Sequence, residues 1–270
     1  MSSEYNFAYA LSKCTYENCR DVRFCVARLE AGKIALDSAT PEDGIVEWLC
    51  FTYLHDVWIG ESATDHANSD DIALLVWEGG ARPESVTART WRKLQNLRTA
   101  IVELELGSRE KLPELSMELT RRVHRIVMDT LLDTPGEFRT RHAAPAGYST
   151  TYAPPSMISK GLSRLIDSVN GAMRNCLSAT DALRIAVVFL ERFLLIHPFV
   201  NGNGRVARLL MYVLLHPFMP VPFTIPHDAR SEYLDALDDA HNHMNYDRLL
   251  HLVLRHAARQ SARVEWMVYH

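Results

Sequence analysis

Two apolar helical runs separated by a short proline- and glycine-bearing turn constrain this chain more than anything else in it. Leu183, Ala186, Val187, Leu190, Phe193 and Leu194 recur at intervals of three and four, the mark of one buried helix face. That helix is expected to open near Asp181, a residue type suited to an N-cap. Val206, Leu209, Leu210, Val213 and Leu214 repeat the pattern after the turn. A turn this short forces the two helices into contact, so the segment between them, Ile196-His-Pro-Phe-Val-Asn-Gly-Asn-Gly-Arg-Val-Ala-Arg208, is held rigidly at one end of a helical core.

The residues of that segment suit phosphate chemistry. His197 falls on the apolar face of the first helix, and Pro198 disfavours helical geometry in the residue before it. The chain should therefore break with the imidazole aimed inward, and Phe199 should anchor the loop. Gly202 and Gly204 permit positive φ and carry no Cβ, so the backbone can curl and present N–H groups to an anion. The N-terminus of the second helix adds its partial positive charge. Arg205 and Arg208 are neighbours on its first turn and can fork onto phosphate oxygens. Gly-x4-Gly-Lys-Ser/Thr is absent, so this is not a P-loop. The chain carries its own control in Leu215-His-Pro-Phe-Met219, which repeats His-Pro-Phe without the glycines and arginines and reads as plain structure.

The segment from His197 to Arg208 resembles the motif of the Fic family, His-x-Phe-x-(Asp or Glu)-Gly-Asn-Gly-(Arg or Lys)-x-x-Arg. The resemblance implies an all-α fold, a Fic-type helical bundle with a short β-hairpin flap and an N-terminal helical lobe. It also implies transfer of AMP from ATP, with Mg²⁺, onto a Ser, Thr or Tyr hydroxyl of a target protein. In that reading His197 is the general base. Gly202, Asn203 and Gly204 hold the α-phosphate, and Arg205 and Arg208 grip the outer phosphates. The family's metal-holding carboxylate is replaced by Asn201, whose neutral amide oxygen binds Mg²⁺ more weakly.

A second stretch supports the resemblance. Asp133-Thr-Pro-Gly-Glu-Phe-Arg139 is similar to the segment that precedes the Fic flap, which would here run from Thr140 to Tyr152. An unpaired strand edge suits the binding of an extended target segment. Pro145 removes a donor, so pairing is expected only near Tyr148, Ser149, Thr150, Thr151 and Tyr152. Tyr148 and Tyr152 are also candidate sites of self-modification. Downstream, Arg230 to Ala240 is similar to the Fic helix that lines base and ribose, with Tyr233 as a candidate to cover the purine. His241 is placed just after it, where relatives contact the nucleotide.

Many Fic proteins carry an inhibitory Ser/Thr-x3-Glu-Gly/Asn motif whose glutamate pairs with the last arginine. Glu61 and Glu78 stand at imperfect versions of it, and Ser261-Ala-Arg-Val-Glu265 has the spacing near the other end. A glutamate near the α-phosphate would instead allow the reverse, hydrolytic reaction. Transfer of GMP, UMP or phosphocholine, and nucleotide binding without chemistry, stay open alongside it.

Composition narrows the rest. A length of 270 residues at 47% hydrophobic content gives one large domain or a core with an appended lobe. The expected division is an N-terminal lobe over 1–108, a Fic core over 109–258 and a tail over 259–270. A net charge of -4 gives no footprint for nucleic acid or a membrane surface, and no run approaches the roughly 18 apolar residues of a spanning helix. Five cysteines in no zinc or disulfide pattern fit a cytoplasmic protein, and a homodimer is left open. His124 reads as a surface or structural histidine. Further expectations are a strand over Val22 to Leu29, helices over Ile45 to Trp58, Asp71 to Glu78 and Ser85 to Leu106, a helix starting near Leu115, and a last helix from Tyr246 to Ala258.

Overall fold

The computed structural model describes residues 6–16, 22–39, 47–48, 50–55, 69–78, 81–104, 114–144, 151–218, 225–226 and 229–270. The described helices are α1 (Phe7–Lys13), α2 (Val22–Ser38), α3 (Ser69–Ala73, continued by a π-helical turn Leu74–Glu78), α4 (Ala88–Glu103) and α5 (Met117–Val127). They continue with α6 (Pro155–Arg174), α7 (Ala179–Ile196), α8 (Asn203–Leu215), α9 (Arg230–His243) and α10 (Asp247–Tyr269). Most of residues 47–55 are also helical.

The α7–α8 hairpin lies at the centre. Most of α7 is buried, as expected of a helix packed against neighbours on several sides. Helices α1, α2, α6, α9 and α10 pack on it, while α5 packs on α8 and carries α4 on its other side. Helix α7 opens at Ser178 rather than at Asp181. The Ser178 hydroxyl accepts the Asp181 N–H at 3.1 Å and donates to the Asp181 carboxylate at 2.8 Å, a reciprocal cap that moves the start three residues upstream. Helix α4 is shorter than expected, capped at Thr87, whose hydroxyl accepts the Thr90 N–H at 3.2 Å.

The expected strand over Val22 to Leu29 is instead the first half of α2. Cys25, Leu29, Gly32, Ala35 and Leu36 are its buried positions, a helical period that runs through the supposed turn at Ala31-Gly32. Gly32 is there for close packing. A Cβ on it would lie 2.5 Å from the Ser261 Cβ, so α2 and α10 cross almost backbone to backbone. The last helix also exceeds its expected end. With no glycine or proline after Tyr246 to stop it, α10 runs on to Tyr269 and takes in residues 259–269.

Helix α6 had no counterpart among the expected elements. Pro154-Pro155 places a proline at its first position, where the missing N–H costs nothing, and Ile158, Leu162, Leu165, Ile166 and Val169 form its buried stripe. Among the described residues there is no strand. Residues 145–150, where the turn of the expected β-hairpin flap would fall, lie outside them, as does the proposed lobe boundary at Ser108 to Lys111.

Candidate active site

The geometry begins with the break between α7 and α8. His197 caps α7 in the left-handed region at φ 49°, a conformation that costs a non-glycine residue free energy and persists only where neighbours enforce it. Arg139 is the main enforcer. Its buried guanidinium donates to the carbonyls of His197 at 2.6 Å, Ile196 at 3.2 Å and Arg141 at 2.9 Å, and also to that of Ala153. The Arg139 N–H reaches the Pro198 carbonyl at 2.9 Å. A helix ends with carbonyls that lack intrahelical partners, and here one cation satisfies two of them at the negative end of the helix dipole.

The turn that follows is held from two sides. Asn203 is buried, and its carboxamide accepts the Phe199 N–H at 2.9 Å and donates to the Phe199 carbonyl at 2.8 Å. That side chain is therefore spent on the loop, and what Asn203 can offer an anion is its backbone N–H. Gly202 has φ 79°, and a Cβ on it would meet the Met128 sulfur at 2.7 Å, so both conformation and space require glycine.

His124 supports the turn from α5. Its ring stacks on Phe199 with centroids 3.7 Å apart. Nδ1 accepts the Gly136 N–H at 2.7 Å, so the proton is on Nε2, which donates to the Asn201 carbonyl at 3.1 Å. Its reading as a structural histidine holds, but it is fully buried rather than at the surface.

His197 Nδ1 lies 3.3 Å from the Leu194 carbonyl. A carbonyl only accepts, so Nδ1 carries the proton and Nε2 keeps its lone pair. Burial pulls this imidazole down from its usual 6.5 to about 4, with Arg139 pushing the same way and the Leu194 bond opposing, so the ring is neutral at ordinary pH.

These groups meet in a cavity of about 420 Å³, within the usual range for a small-molecule site. His197, Asn201, Gly202, Asn203, Gly204, Arg205 and Arg208 line one side of it. Helix α9 lines the other with Arg230, Tyr233, Leu234, Leu237, Asp238 and His241. Tyr152 closes the end over His197, its ring stacked on the imidazole. The first N–H groups of α8 point out of its N-terminus beside Arg205 and Arg208, so one part of the cavity is a cradle for anions.

Tyr233 is buried beside the Arg208 guanidinium, and burial raises its phenol above the usual range. His241 sits inside α9 rather than after it, with Nδ1 on the Glu191 carboxylate at 2.7 Å. The side chain of Asn201 folds back, Oδ1 accepting the Gly202 N–H at 2.7 Å. Glu61, Tyr148, Ser149 and Thr150 lie outside the described residues, as does the side chain of Glu78. Thr151 is exposed and does not line the cavity. Ser261 is packed against Gly32 and Glu265 pairs with Arg28 at 2.7 Å, so that stretch is committed to the α2–α10 contact. His216, of the second His-Pro-Phe, is buried edge-on to Tyr212.

Sequence reasoning missed the roles of Arg139 and His124, and missed Glu191, Arg230 and Asp238 as site residues. In the sequence Arg139 stands out only as the last residue of the Pro-Gly-x-Phe-Arg stretch. Glu191 carried a signal, because a carboxylate in the middle of so apolar a helix needs a buried partner.

The helical bundle closes a histidine, a positive-φ glycine turn, a helix N-terminus and several arginines around one cavity, the fold and site of a Fic-type α-domain. Residues 114–215 match the model of the Fic/DOC family, so that stretch is a domain of the Fic type. It is 30% identical over 125 residues to the protein adenylyltransferase fic-1 of Caenorhabditis briggsae, an alignment covering 46% of this chain and 24% of that protein. The chain thus aligns with about a quarter of that relative's length. In fold it is similar to a Fic domain containing signaling protein from Bacteroides thetaiotaomicron, with a TM-score of 0.73 at 20% identity over 90% of this chain and 97% of the other. Residues 134–508 of Fic-1 from C. elegans give a TM-score of 0.69 at 20% identity over 89% and 71%. These two likenesses show a fold shared over most of the chain. Among the described residues no helix is long and apolar enough to cross a membrane.

Proposed function

We propose that this chain transfers AMP from ATP to a Ser, Thr or Tyr hydroxyl of a target protein, with His197 as the general base. The observation that carries the proposal is the pairing of a tautomer-fixed imidazole with an anion cradle in one cavity. Nδ1 is occupied by the Leu194 carbonyl, so Nε2 is the atom that takes a proton, and it does so beside the N-terminus of α8.

In this reading the target oxygen attacks the α-phosphorus while its proton passes to His197 Nε2. The bond from that phosphorus to the bridging oxygen breaks, and pyrophosphate leaves. Backbone N–H groups of Asn203 and Gly204 stabilise the charge that grows on the α-phosphate, and Arg205 and Arg208 neutralise the leaving group. Proton removal of this kind contributes roughly 10²- to 10⁴-fold, and fixing the two reactants together contributes the rest. The flap holds the target segment, and Tyr152 marks where its side chain enters. The name of the C. briggsae relative supports the reaction class.

Mg²⁺ fits this site as an ion carried in on the triphosphate. Among the described residues no three His, Cys, Asp or Glu side chains gather to bind a metal, and the Asn201 amide oxygen has one lone pair beyond its Gly202 bond. Mg²⁺ keeps most of its ligands as water and phosphate oxygens, so one amide oxygen suffices to locate it. When bound it neutralises phosphate charge.

ATP labelled at the α-phosphorus and ATP labelled at the γ-phosphorus separate this reading from its rivals. Only the α-label should become covalently attached to protein in the presence of Mg²⁺. Attachment of the γ-label, or of neither while ATP still binds, overturns it.

A further inference from the structure

The loop after His197 holds one apolar side chain in the open. Asn203 bonds both the N–H and the carbonyl of Phe199, and His124 donates to the Asn201 carbonyl, so the residues on either side of Val200 are fixed. Phe199 is fully buried, whereas Val200 is 70% exposed and lines the cavity. A lone exposed valine would mean little. This one shares the cavity with the half-buried Leu194 and Tyr152, and the three supply the apolar side chains of its lining outside α9.

The stacked rings set how an acceptor can approach. Tyr152 covers one face of the imidazole at 3.8 Å, and Nδ1 is taken up by the Leu194 carbonyl. The lone pair of a ring nitrogen lies in the plane of the ring, so a hydroxyl meets Nε2 edge-on, from within the cavity. A serine or threonine oxygen is one bond from its Cβ and reaches that point only by bringing its own backbone into the cavity. A tyrosine oxygen stands at the far end of a ring. Its backbone can stay outside while the ring lies against Val200 and Leu194.

The acidity of the acceptor points the same way. Burial holds His197 at about 4, so it is a weak base. A phenol ionises at ~10 and an aliphatic hydroxyl close to water at ~15.7, and proton transfer is easiest where donor and base lie nearest. Of the three hydroxyl side chains, tyrosine gives up its proton to such a base at the least cost.

We infer that Val200, Leu194 and Tyr152 form a subsite for the ring of a target tyrosine, and that this chain modifies tyrosine in preference to serine and threonine. This rests on the transferase reading above and narrows its acceptor. The phenol oxygen forms the new bond to the α-phosphorus, its proton passes to His197 Nε2, and the bond to the bridging oxygen breaks to release pyrophosphate. A ring seated there buries apolar surface that a serine cannot offer and a threonine offers only as one methyl group. Val200 is the member of the subsite that can be changed without uncovering the imidazole.

The test offers the whole chain ATP labelled at the α-phosphorus, Mg²⁺ and three pools of randomised peptides. The pools differ only in a single central Tyr, Thr or Ser and contain no other hydroxyl side chain. The tyrosine pool should be labelled about tenfold or more faster than either of the others. Val200→Ala should lose most of that advantage by slowing the tyrosine pool, and Val200→Ile, which keeps the apolar surface, should retain it. Val200 is exposed, so neither change threatens the fold. Equal labelling of the pools, faster labelling of threonine or serine, or an unchanged advantage in Val200→Ala overturns the inference and leaves the transferase reading standing. Label on proteins of a whole-cell extract with none on any pool does the same. Absence of label from pools and extract alike overturns both.

Discussion

The phenol of Tyr152 lies face to face with the imidazole of His197, ring centroids 3.8 Å apart and planes 11° from parallel. Its place is set by the next residue, since the Ala153 N–H is fastened to the Leu195 carbonyl at 3.2 Å and the Ala153 carbonyl to Arg139. The stack covers one face of the imidazole and contributes to the burial that holds it near 4.

Removing that cover should move the acid limb of catalysis. Tyr152→Ala exposes the ring, so its pKa rises toward 6.5 and the base is lost at a higher pH. The pH dependence of kcat/KM for transfer is the measurement, and the wild type should hold its rate to lower pH than the variant.

Arg139 should matter to stability and to rate together. Arg139→Gln leaves buried carbonyls at the end of α7 without donors, and each such group costs about 1–3 kcal/mol. Urea denaturation should show a loss of several kcal/mol by that figure. Transfer should fall further than unfolding explains, because the left-handed turn at His197 is no longer enforced.

Gly202→Ala meets two separate obstacles, the positive φ and the Met128 sulfur. The expected loss is about 1–3 kcal/mol with weaker nucleotide binding. Adding Met128→Ala relieves the contact but not the backbone strain, so the double variant should recover only part of the binding.

Two histidines, His124 and His197, tie stability to pH. Burial lowers both His124 and His197 to about 4, the former held in its neutral tautomer between Gly136 and Asn201. Below their ordinary value of about 6.5 the unfolded chain takes up protons that the folded chain refuses, so stability rises with pH across this window. Melting temperature should fall as pH drops from about 6.5 toward 4, and His124→Gln should flatten that slope.

How far the sequence revealed all this varied with the kind of interaction. The α7–α8 hairpin was legible because its apolar period and the proline and glycines of its turn are local signals. Helix α2 was misread because Gly32 looks like a turn until Ser261 is seen against it, and no local rule anticipates a helix crossing 229 positions away. Arg139, His124 and Glu191 are long-range polar contacts, and a sequence shows such a residue without showing what it touches. The His197 tautomer depends on one carbonyl distance and was beyond spacing arguments altogether.

The central claim is that His197 takes the proton and the arginines hold the nucleotide. Its most direct measurement sets His197→Ala beside the wild type and Arg208→Ala, reading labelled-AMP transfer and ATP affinity in the same preparations. His197→Ala should lose transfer almost completely while its ATP affinity stays near the wild-type value, and Arg208→Ala should lose affinity first. Transfer by His197→Ala at the wild-type rate would contradict it.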